Sequence, residues 1–316
     1  MTTTQELVAT HLPSISVNFD FVLAPLTYFK IGGPAEVYIQ SNSIAEVKSI
    51  VKFCHEFEVP LTMLGGASNV IVADDGIVGV VLHLQLNEFT VTEVPTVIRV
   101  GAGEKTSLCV GKSNNHGLTG LEYFLGVPGT VGGAVYNNAH YLQHLIANHI
   151  SQVRVLDRAG NEQWLSVEEC RFTYDHSRFQ ETKEIVLEVE FTLQPGDINT
   201  SRQLIKEATE YRARTQPLGE PSSGCIFQNA PNTPDLQALF PQFADKTHIS
   251  GGFLIDQAGM KGEKIGNIEV SHKHAAFFVN HGGGTARDVA LLVKKVKDKV
   301  AEKFGVVLEE EVFYLK

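Results

Sequence analysis

The sequence predicts an α+β fold in two domains, and three observations carry that reading. The chain has 316 residues, 43% of them hydrophobic, and at about 100–200 residues per domain that makes two domains with enough apolar material for real cores. Capped amphipathic helices are interleaved with short apolar runs that end in glycine or Asp-Gly turns. Glycine, 28 residues in all, is concentrated in a few clusters. A formal charge of −10, from 26 basic and 36 acidic residues, argues against nucleic acid and anionic membrane as partners. No run of about 18 apolar residues predicts a membrane span. The N-terminus lacks the basic-then-apolar order of a signal peptide, so a cytoplasmic protein is expected. Cys54, Cys109, Cys170 and Cys225 show no Cys-x-x-Cys spacing, which fits a reducing compartment and neither a disulfide framework nor a zinc site.

Taken in order, residues 1–19 read as a polar leader, and LTYFKIGGPAEVYIQ as a strand broken at Gly32-Gly33-Pro34. Ser43-x-x-Glu46 is a capping box opening a helix whose Ile44, Val47, Ile50, Val51, Cys54 and Phe57 keep helical spacing. VPLTMLGGASNVIVADDGIVGVVLHL then gives three strands separated by a glycine turn and an Asp-Asp-Gly turn, and the β-α-β-turn-β order suggests a small α+β unit. A second unit, starting near residue 88, has the strand TVIRVG, a helix from Lys105 to about His116, a glycine-rich stretch from Gly117 to Gly133, and the strands SQVRVLDRAG and KEIVLEVEFTLQ. The turn cluster Pro195-Gly196-Asp197 is the expected boundary to a last domain, 197–316. That domain opens on a helix from about Thr200, with Gln203 completing a capping box, and carries a second amphipathic helix, Thr285 to Phe304. Its lysines 294, 295, 297, 299 and 303 read as a solvated face that complements the helix dipole.

Several motifs invite a ligand and fail. Gly101-x-Gly103 follows a strand, but Thr106 stands where a dinucleotide fingerprint needs its third glycine, so it reads as a strand-to-helix turn. Gly111-Lys112-Ser113 lacks the first glycine of a P-loop and lies inside a predicted helix. His140, His144 and His149 have no further ligand types nearby, so no metal site is expected. His272 and His274 alternate along one face of a strand, as polar strand residues or as site lining.

Two clusters exceed what a turn needs. Gly65, Gly66, Ala67, Ser68 and Asn69 between apolar strands expose several backbone N–H groups, the geometry that holds phosphate oxygens. GVPGTVGGAVYNNA, with Gly126, Pro128, Gly129, Thr130, Gly132 and Gly133 ahead of Asn137 and Asn138, offers the same close backbone approach. Two such loops suggest a dinucleotide held by an unusual fold.

FKIGGPAE, LGGASNVIVADDGIVG, GLEYFLGVPGTVGGAVYNNA, PSSGCIFQNA, GMKGEKIGNIEVSHKHAAFFVN and LEEEV occur in that order. From about Leu26 onward the chain thereby resembles the UDP-N-acetylenolpyruvoylglucosamine reductase (MurB) family of flavoenzymes, in its shorter, type II form. The resemblance implies an FAD-binding region of the vanillyl-alcohol-oxidase (PCMH) type over 20–196, in two α+β subdomains, and a C-terminal α+β substrate domain. It implies FAD as cofactor, NADPH as hydride donor, UDP-N-acetylglucosamine enolpyruvate as acceptor, and a monomer. Lys30, the two glycine loops and Asn138 would hold the FAD. Tyr174, Arg212, Arg214, Gln228, Asn229, Lys261 and His274 would line the substrate.

The family's proton donor is a serine in Gly-Ser-x-Phe, and Cys225 of Gly224-Cys225-Ile226-Phe227 stands in that place. A thiol with an ordinary pKa of about 8.5 is protonated at neutral pH and can serve. Glu311, directly before the final valine of LEEEV, matches the family's catalytic glutamate. The family's Tyr-Arg-x-Ser is here Tyr174-Asp175-His176-Ser177, so the arginine that meets the substrate carboxylate is missing. Arg178 is the expected replacement, beside Tyr174. A second departure puts His140 where the family has glycine in Asn-Ala-Gly. The alternatives are another flavin oxidoreductase on the same fold and a flavin- and nucleotide-sugar-binding homologue without turnover.

Overall fold

The structure is a computed structural model that describes residues 3–316. The chain forms two compact units. The first comprises Met1–Phe21, Ala35–Gly66 and Val78–Arg212; the second comprises Val22–Pro34, Ala67–Ile77 and Ala213–Lys316. Each has its own apolar core.

In the first unit the described part of the expected leader, residues 3–19, carries a helix and the start of a strand. Thr3 and Glu6 cap each other's backbone at the start of helix Thr4–His11, and Val17–Val22 is the edge of a four-stranded sheet. Its other strands are Pro34–Ser41, Ile77–Leu84 and Leu61–Leu64; the last two run parallel, Leu61 against Val80 and Leu64 against His83. The helix Ile44–Glu56, capped by the Ser43 side chain on the Glu46 N–H, buries Val47, Ile50, Val51, Phe53 and Cys54. The strand expected to begin near Leu26 begins only at Pro34. Ahead of it the Thr27 hydroxyl donates to the Ile31 carbonyl at 2.9 Å and accepts from its N–H at 3.1 Å, closing a turn in place of a ladder. A five-stranded antiparallel sheet follows, in the order Glu162–Ser166, Ile150–Leu156, Ile185–Thr192, Val97–Gly101, Phe89–Val91. The helix Val131–Tyr136 packs on its central strand.

The compact units part at Arg212, not at 195–197. Gln194 and Pro195 pair with Thr119 and Leu118. The Ser201 hydroxyl donates to the buried Glu122 carboxylate at 2.6 Å, fastening the start of helix Ile198–Thr215 to the first unit. That helix is capped one turn earlier than expected: Asp197 accepts from the Thr200 N–H at 2.8 Å, as the stronger N-cap acceptor. Gln203 meanwhile bonds Glu207 at 2.7 Å.

Burial alone would raise the Glu122 carboxyl, but donors from Ser201, Thr119 and Gly120 hold it below its ordinary value. Its contribution to stability is therefore present above the ordinary carboxylate range and is lost as pH falls through the lowered value. We expect the thermal midpoint of Glu122→Gln to fall less than that of the native chain between about pH 6 and about pH 3. Parallel curves would remove Glu122 from the acid response.

In the second unit Lys264–Ile265, Ile268–Val270 and Phe278–Asn280 form an antiparallel sheet. Helix Ala286–Phe304 carries a Thr285/Asp288 capping box, a left-handed Gly305 at its end, and a buried stripe of Val289, Leu292, Val293, Val296 and Val300. Its lysines meet acids or carbonyls: Lys294 with Asp298, Lys295 with Glu263, Lys297 with Glu310, Lys299 with Glu302, and Lys303 with the Gln257 carbonyl. That is the solvated face the sequence predicts. Phe313–Leu315 pairs in parallel with Val70–Val72. Among the described residues no helix is long and apolar enough to cross a membrane.

Candidate active site

In the first unit the two glycine loops meet. A Cβ built on Gly66 would lie 2.3 Å from Gly129 Cα, and one on Gly65 would lie 2.8 Å from Thr130 Oγ1, so the backbones are in contact. Thr130 caps helix Val131–Tyr136, its hydroxyl accepting from the Gly133 N–H at 3.4 Å. The Gly101–Gly103 turn, dismissed as a phosphate motif, buttresses this cradle. Gly132 N donates to Ala102 O at 2.8 Å, Val131 N to Glu104 O at 2.9 Å, and Thr106 N to Gly129 O at 3.2 Å. The Thr106 hydroxyl is buried with no hydrogen-bond partner among the described residues. A cradle that any side chain would fill, with an unsatisfied hydroxyl beside it, fits a dinucleotide pyrophosphate held by backbone. Arg212 lies against the same segment, its Cδ 2.8 Å from where a Gly126 Cβ would stand and its guanidinium 4.6 Å over the Tyr141 ring. Pro128 is exposed beside it.

Other expected residues of this unit turn out otherwise. Asn138 is buried with both amide ends engaged, donating to Thr173 O at 2.7 Å and accepting from Ala147 N at 3.3 Å. It thus ties the end of helix Val131–Tyr136 to the 173–177 loop. Tyr174 is exposed on that loop. Arg178 is not presented as the missing cation. Its Nε and Nη2 grip Glu184 at 2.9 and 3.0 Å, and Nη1 reaches the Glu169 carbonyl at 3.3 Å. Glu184 is buried, so it needs this bidentate partner. We expect Arg178→Ala to cost about 3–5 kcal/mol of stability, as loss of a mostly buried pair does, while kcat/KM stays within about tenfold. Retained stability with a larger kinetic loss would restore Arg178 to the site.

The three histidines of the 140–149 stretch go separate ways. His144 stacks on Tyr123 at 3.8 Å, and His149 packs edge-on to Phe124 at 6.3 Å, its pKa pushed down chiefly by burial. His140 Nδ1 meets Asp175 Oδ1 at 2.9 Å. The two departures from the family pattern therefore pair with each other, which sequence reading missed.

In the second unit the chain 225–228 lies between two others. Cys225 pairs with Phe277, Phe227 pairs with Glu310, and Ile226 N donates to Ala276 O at 2.8 Å. On the other side Glu311 N donates to Ile226 O at 2.8 Å and Gln228 N to Glu309 O at 3.0 Å. Cys225 and Glu311 thus sit on adjoining strands, neighbours of one Ile226–Glu311 hydrogen bond. Gly224, at φ +84°, makes the turn into this strand where a side chain would be strained. Among the three glutamates, Glu310 is taken by Lys297 at 3.0 Å and the Tyr314 hydroxyl at 2.7 Å, and Glu309 is exposed. Asn69, expected on the cofactor, donates instead to the Glu311 carbonyl at 3.2 Å and accepts through its own carbonyl from Phe313 N at 3.1 Å. It positions the glutamate strand.

Cys54, Cys109 and Cys170 are buried, and burial pushes each thiol up to about 12. Cys225 is only partly buried. Lys261 pairs with Asp256 at 2.6 Å. His274, whose Nδ1 accepts from Ala276 N at 3.3 Å, is held neutral first by burial and then by nearby Lys261. Gln228 is half-buried, while Asn229 and Arg214 are exposed. Ala67 O accepts from Tyr28 N at 3.1 Å, Ser68 is half-buried, and Lys30 Nζ donates to Pro25 O at 2.8 Å.

Comparison with known proteins agrees with both halves. Residues 35–166 match the FAD binding domain family, and residues 216–315 match the UDP-N-acetylenolpyruvoylglucosamine reductase C-terminal domain. The UDP-N-acetylenolpyruvoylglucosamine reductase of Shouchella clausii is 40% identical over 304 residues, covering 96% of this chain and 92% of that protein. The Listeria innocua protein of the same name is 37% identical over 300 residues, 95% of each. The crystal structure of the reductase (MurB) from Thermus caldophilus superposes with a TM-score of 0.75 at 29% identity, over 96% of this chain and 99% of that one. With its α+β architecture, its FAD binding domain and relatives matched nearly end to end, the chain belongs to the UDP-N-acetylenolpyruvoylglucosamine reductase family.

Proposed function

We propose that this chain is the FAD-dependent, NADPH-consuming reductase of UDP-N-acetylglucosamine enolpyruvate in peptidoglycan precursor synthesis, acting in the cytoplasm as a monomer. Bound FAD supplies the two-electron carrier between NADPH and the acceptor. In the first unit Gly65, Gly66, Gly129, Thr130, Gly132 and Gly133 would hold it through backbone, with Gly126 and Arg212 beside them. Hydride addition at the β-carbon of the enolpyruvyl alkene leaves an electron pair at the α-carbon, delocalised into the carboxylate. Cys225 gives its Sγ proton to that α-carbon, and the thiolate is reprotonated before the next turnover. Glu311 bears on the enolate-like charge as the second acid. Gln228, Asn229, Lys261, His274, Arg214 and Tyr174 are the remaining substrate contacts in this reading.

The observation that supports the reading is that the Cys225 and Glu311 segments are paired through the Ile226–Glu311 hydrogen bond, which holds the two residues one register position apart. The test follows NADPH oxidation by the purified flavoprotein with and without UDP-N-acetylglucosamine enolpyruvate. Substrate-dependent oxidation supports the proposal, and oxidation that ignores the substrate defeats it. A second reading, a binder without turnover, is favoured by one observation: Asp175 stands where a cation belongs, and Arg178 is held by Glu184. Flavin present with no NADPH oxidation would select it.

A further inference from the structure

A histidine stands behind the glycine cradle of the first unit. His83, on strand Ile77–Leu84, is the register partner of Leu64, the residue that leads into Gly65 and Gly66. Its ring is half-buried and has a polar neighbour at each nitrogen: the Tyr38 hydroxyl 2.6 Å from Nδ1 and the Gln85 side-chain amide 2.9 Å from Nε2. Tyr38 is 3% exposed and stacked on Phe21 at 4.4 Å, and burial pushes its phenol up, so it stays an O–H. Gln85 is anchored by its own backbone N–H, which donates to Ser41 O at 2.8 Å. Burial holds His83 below the ordinary histidine value, against a hydrogen bond to the Gly65 backbone. A bond that favours the charged ring is one the ring donates, so its acceptor is the Gly65 carbonyl. The neutral ring has one N–H and one acceptor nitrogen. Each nitrogen has a donor beside it, so the one that faces Gly65 carries the proton and the other accepts, Nδ1 from Tyr38 or Nε2 from Gln85.

The Gly65–Gly66 peptide is trans and planar, so its C=O and N–H point in opposite directions. With the carbonyl turned toward His83, the Gly66 N–H is turned away from it, and that N–H has no hydrogen-bond partner among the described residues. Gly66 is also where the two loops touch, a Cβ there lying 2.3 Å from Gly129 Cα. A peptide between two glycines is the least restrained in a chain, because neither residue has a Cβ to oppose rotation. Anchoring its carbonyl fixes the direction of the N–H before any ligand arrives. A donor fixed in advance meets an anion without the cost of being ordered by it. An apolar side chain would fill the space beside Leu64 with less desolvation; what a histidine adds there is the donor.

We propose that His83 is a positioning residue for the flavin cofactor: by holding the Gly65 carbonyl it presents the Gly66 N–H to a pyrophosphate oxygen of FAD, with Tyr38 and Gln85 holding the ring. This rests on the glycine loops being the FAD cradle, so the experiment reads cofactor binding by the full-length apoprotein. Native chain, His83→Leu and His83→Gln are stripped of flavin, titrated with FAD by fluorescence quenching, and melted without ligand. The expected result is a dissociation constant for FAD raised at least tenfold in His83→Leu and within threefold of native in His83→Gln, which keeps a side-chain donor. The ligand-free melting midpoints should not follow that order, as they would if His83 served the fold alone. At saturating FAD, KM for NADPH and kcat stay within threefold of native in both variants. If His83→Leu does not fold, His83→Asn, whose shorter amide falls short of the carbonyl, is held to the same tenfold criterion. A constant within threefold of native in the variant lacking the contact, or no recovery in His83→Gln, would overturn the proposal. A native apoprotein that binds no FAD would defeat the cradle as well, whereas native binding with unaffected variants defeats only the role of His83.

Discussion

Cys225→Ala is expected to bind FAD and accept hydride from NADPH at the native rate, yet to reduce the enolpyruvyl acceptor at least about a hundredfold more slowly. A positioned general acid contributes about 10²–10⁴-fold, and a hundredfold loss is about 2.7 kcal/mol of barrier. Cys225→Ser, which keeps an O–H in the same place, should recover most of that loss. The same chemistry predicts selective inactivation by a thiol alkylating agent. Cys54, Cys109 and Cys170 are buried, with burial pushing each thiol up to about 12, so they offer almost no thiolate at neutral pH. Cys225 alone of the four is reachable. Stopped-flow traces that separate the two half-reactions provide the check. An equal loss in flavin reduction and acceptor reduction would mean that Cys225 supports the fold or the cofactor, not proton transfer.

Gly66→Ala should yield a folded protein with little or no bound FAD. Its new Cβ would stand 2.3 Å from Gly129 Cα and 2.8 Å from the Gly129 carbonyl carbon, and both neighbours are backbone, so no side chain can swing aside. One of the two loops must move, and the cradle opens with it. Gly111→Ala is the matched control. It lies mid-helix in Thr106–Asn115, with nothing within 4 Å of the added Cβ. There alanine should add about 0.5–1 kcal/mol of stability and leave FAD in place. The ratio of flavin absorbance to protein after gel filtration reads both. Full flavin content in Gly66→Ala would show that the loops hold the cofactor elsewhere.

Much of the fold was legible because it is locally encoded. Ser43 and Thr285 sit one residue ahead of periodic apolar stripes, and both helices begin there. The strands of the five-stranded sheet are apolar runs such as Ile185–Thr192, which buries Ile185, Leu187, Val189 and Phe191 on one face, with Val186 buried as well. Local reading failed where a side chain answered to something distant. LTYFKI has the composition of a strand, but the Thr27 hydroxyl closes it into a turn. Thr200 has the right spacing for a cap, but Asp197 takes the backbone donor first. The turn at 195–197 resembles a boundary, yet Ser201 and Glu122 carry the chain on in the first unit.

The site divides in the same way. Glycine clustering alone pointed to backbone holding phosphate, because only glycine admits a second backbone at contact distance, and that preference is written residue by residue. Cys225 and Glu311 were likewise marked by their immediate neighbours in sequence. Which cations and acids face the chemistry was another matter. Arg178 was the evident substitute for a missing arginine until Glu184 proved to hold both its prongs. His140 was an unexplained histidine until Asp175, 35 positions on, was found against its Nδ1. Sequence by itself determined the fold class and the family and pointed to the glycine loops and the thiol as candidates, since conformational preference and steric size act between near neighbours. Only the tertiary structure decided the pairing of charges, because an ion pair forms between whichever groups the packed chain brings within about 4 Å, and sequence separation does not enter that distance.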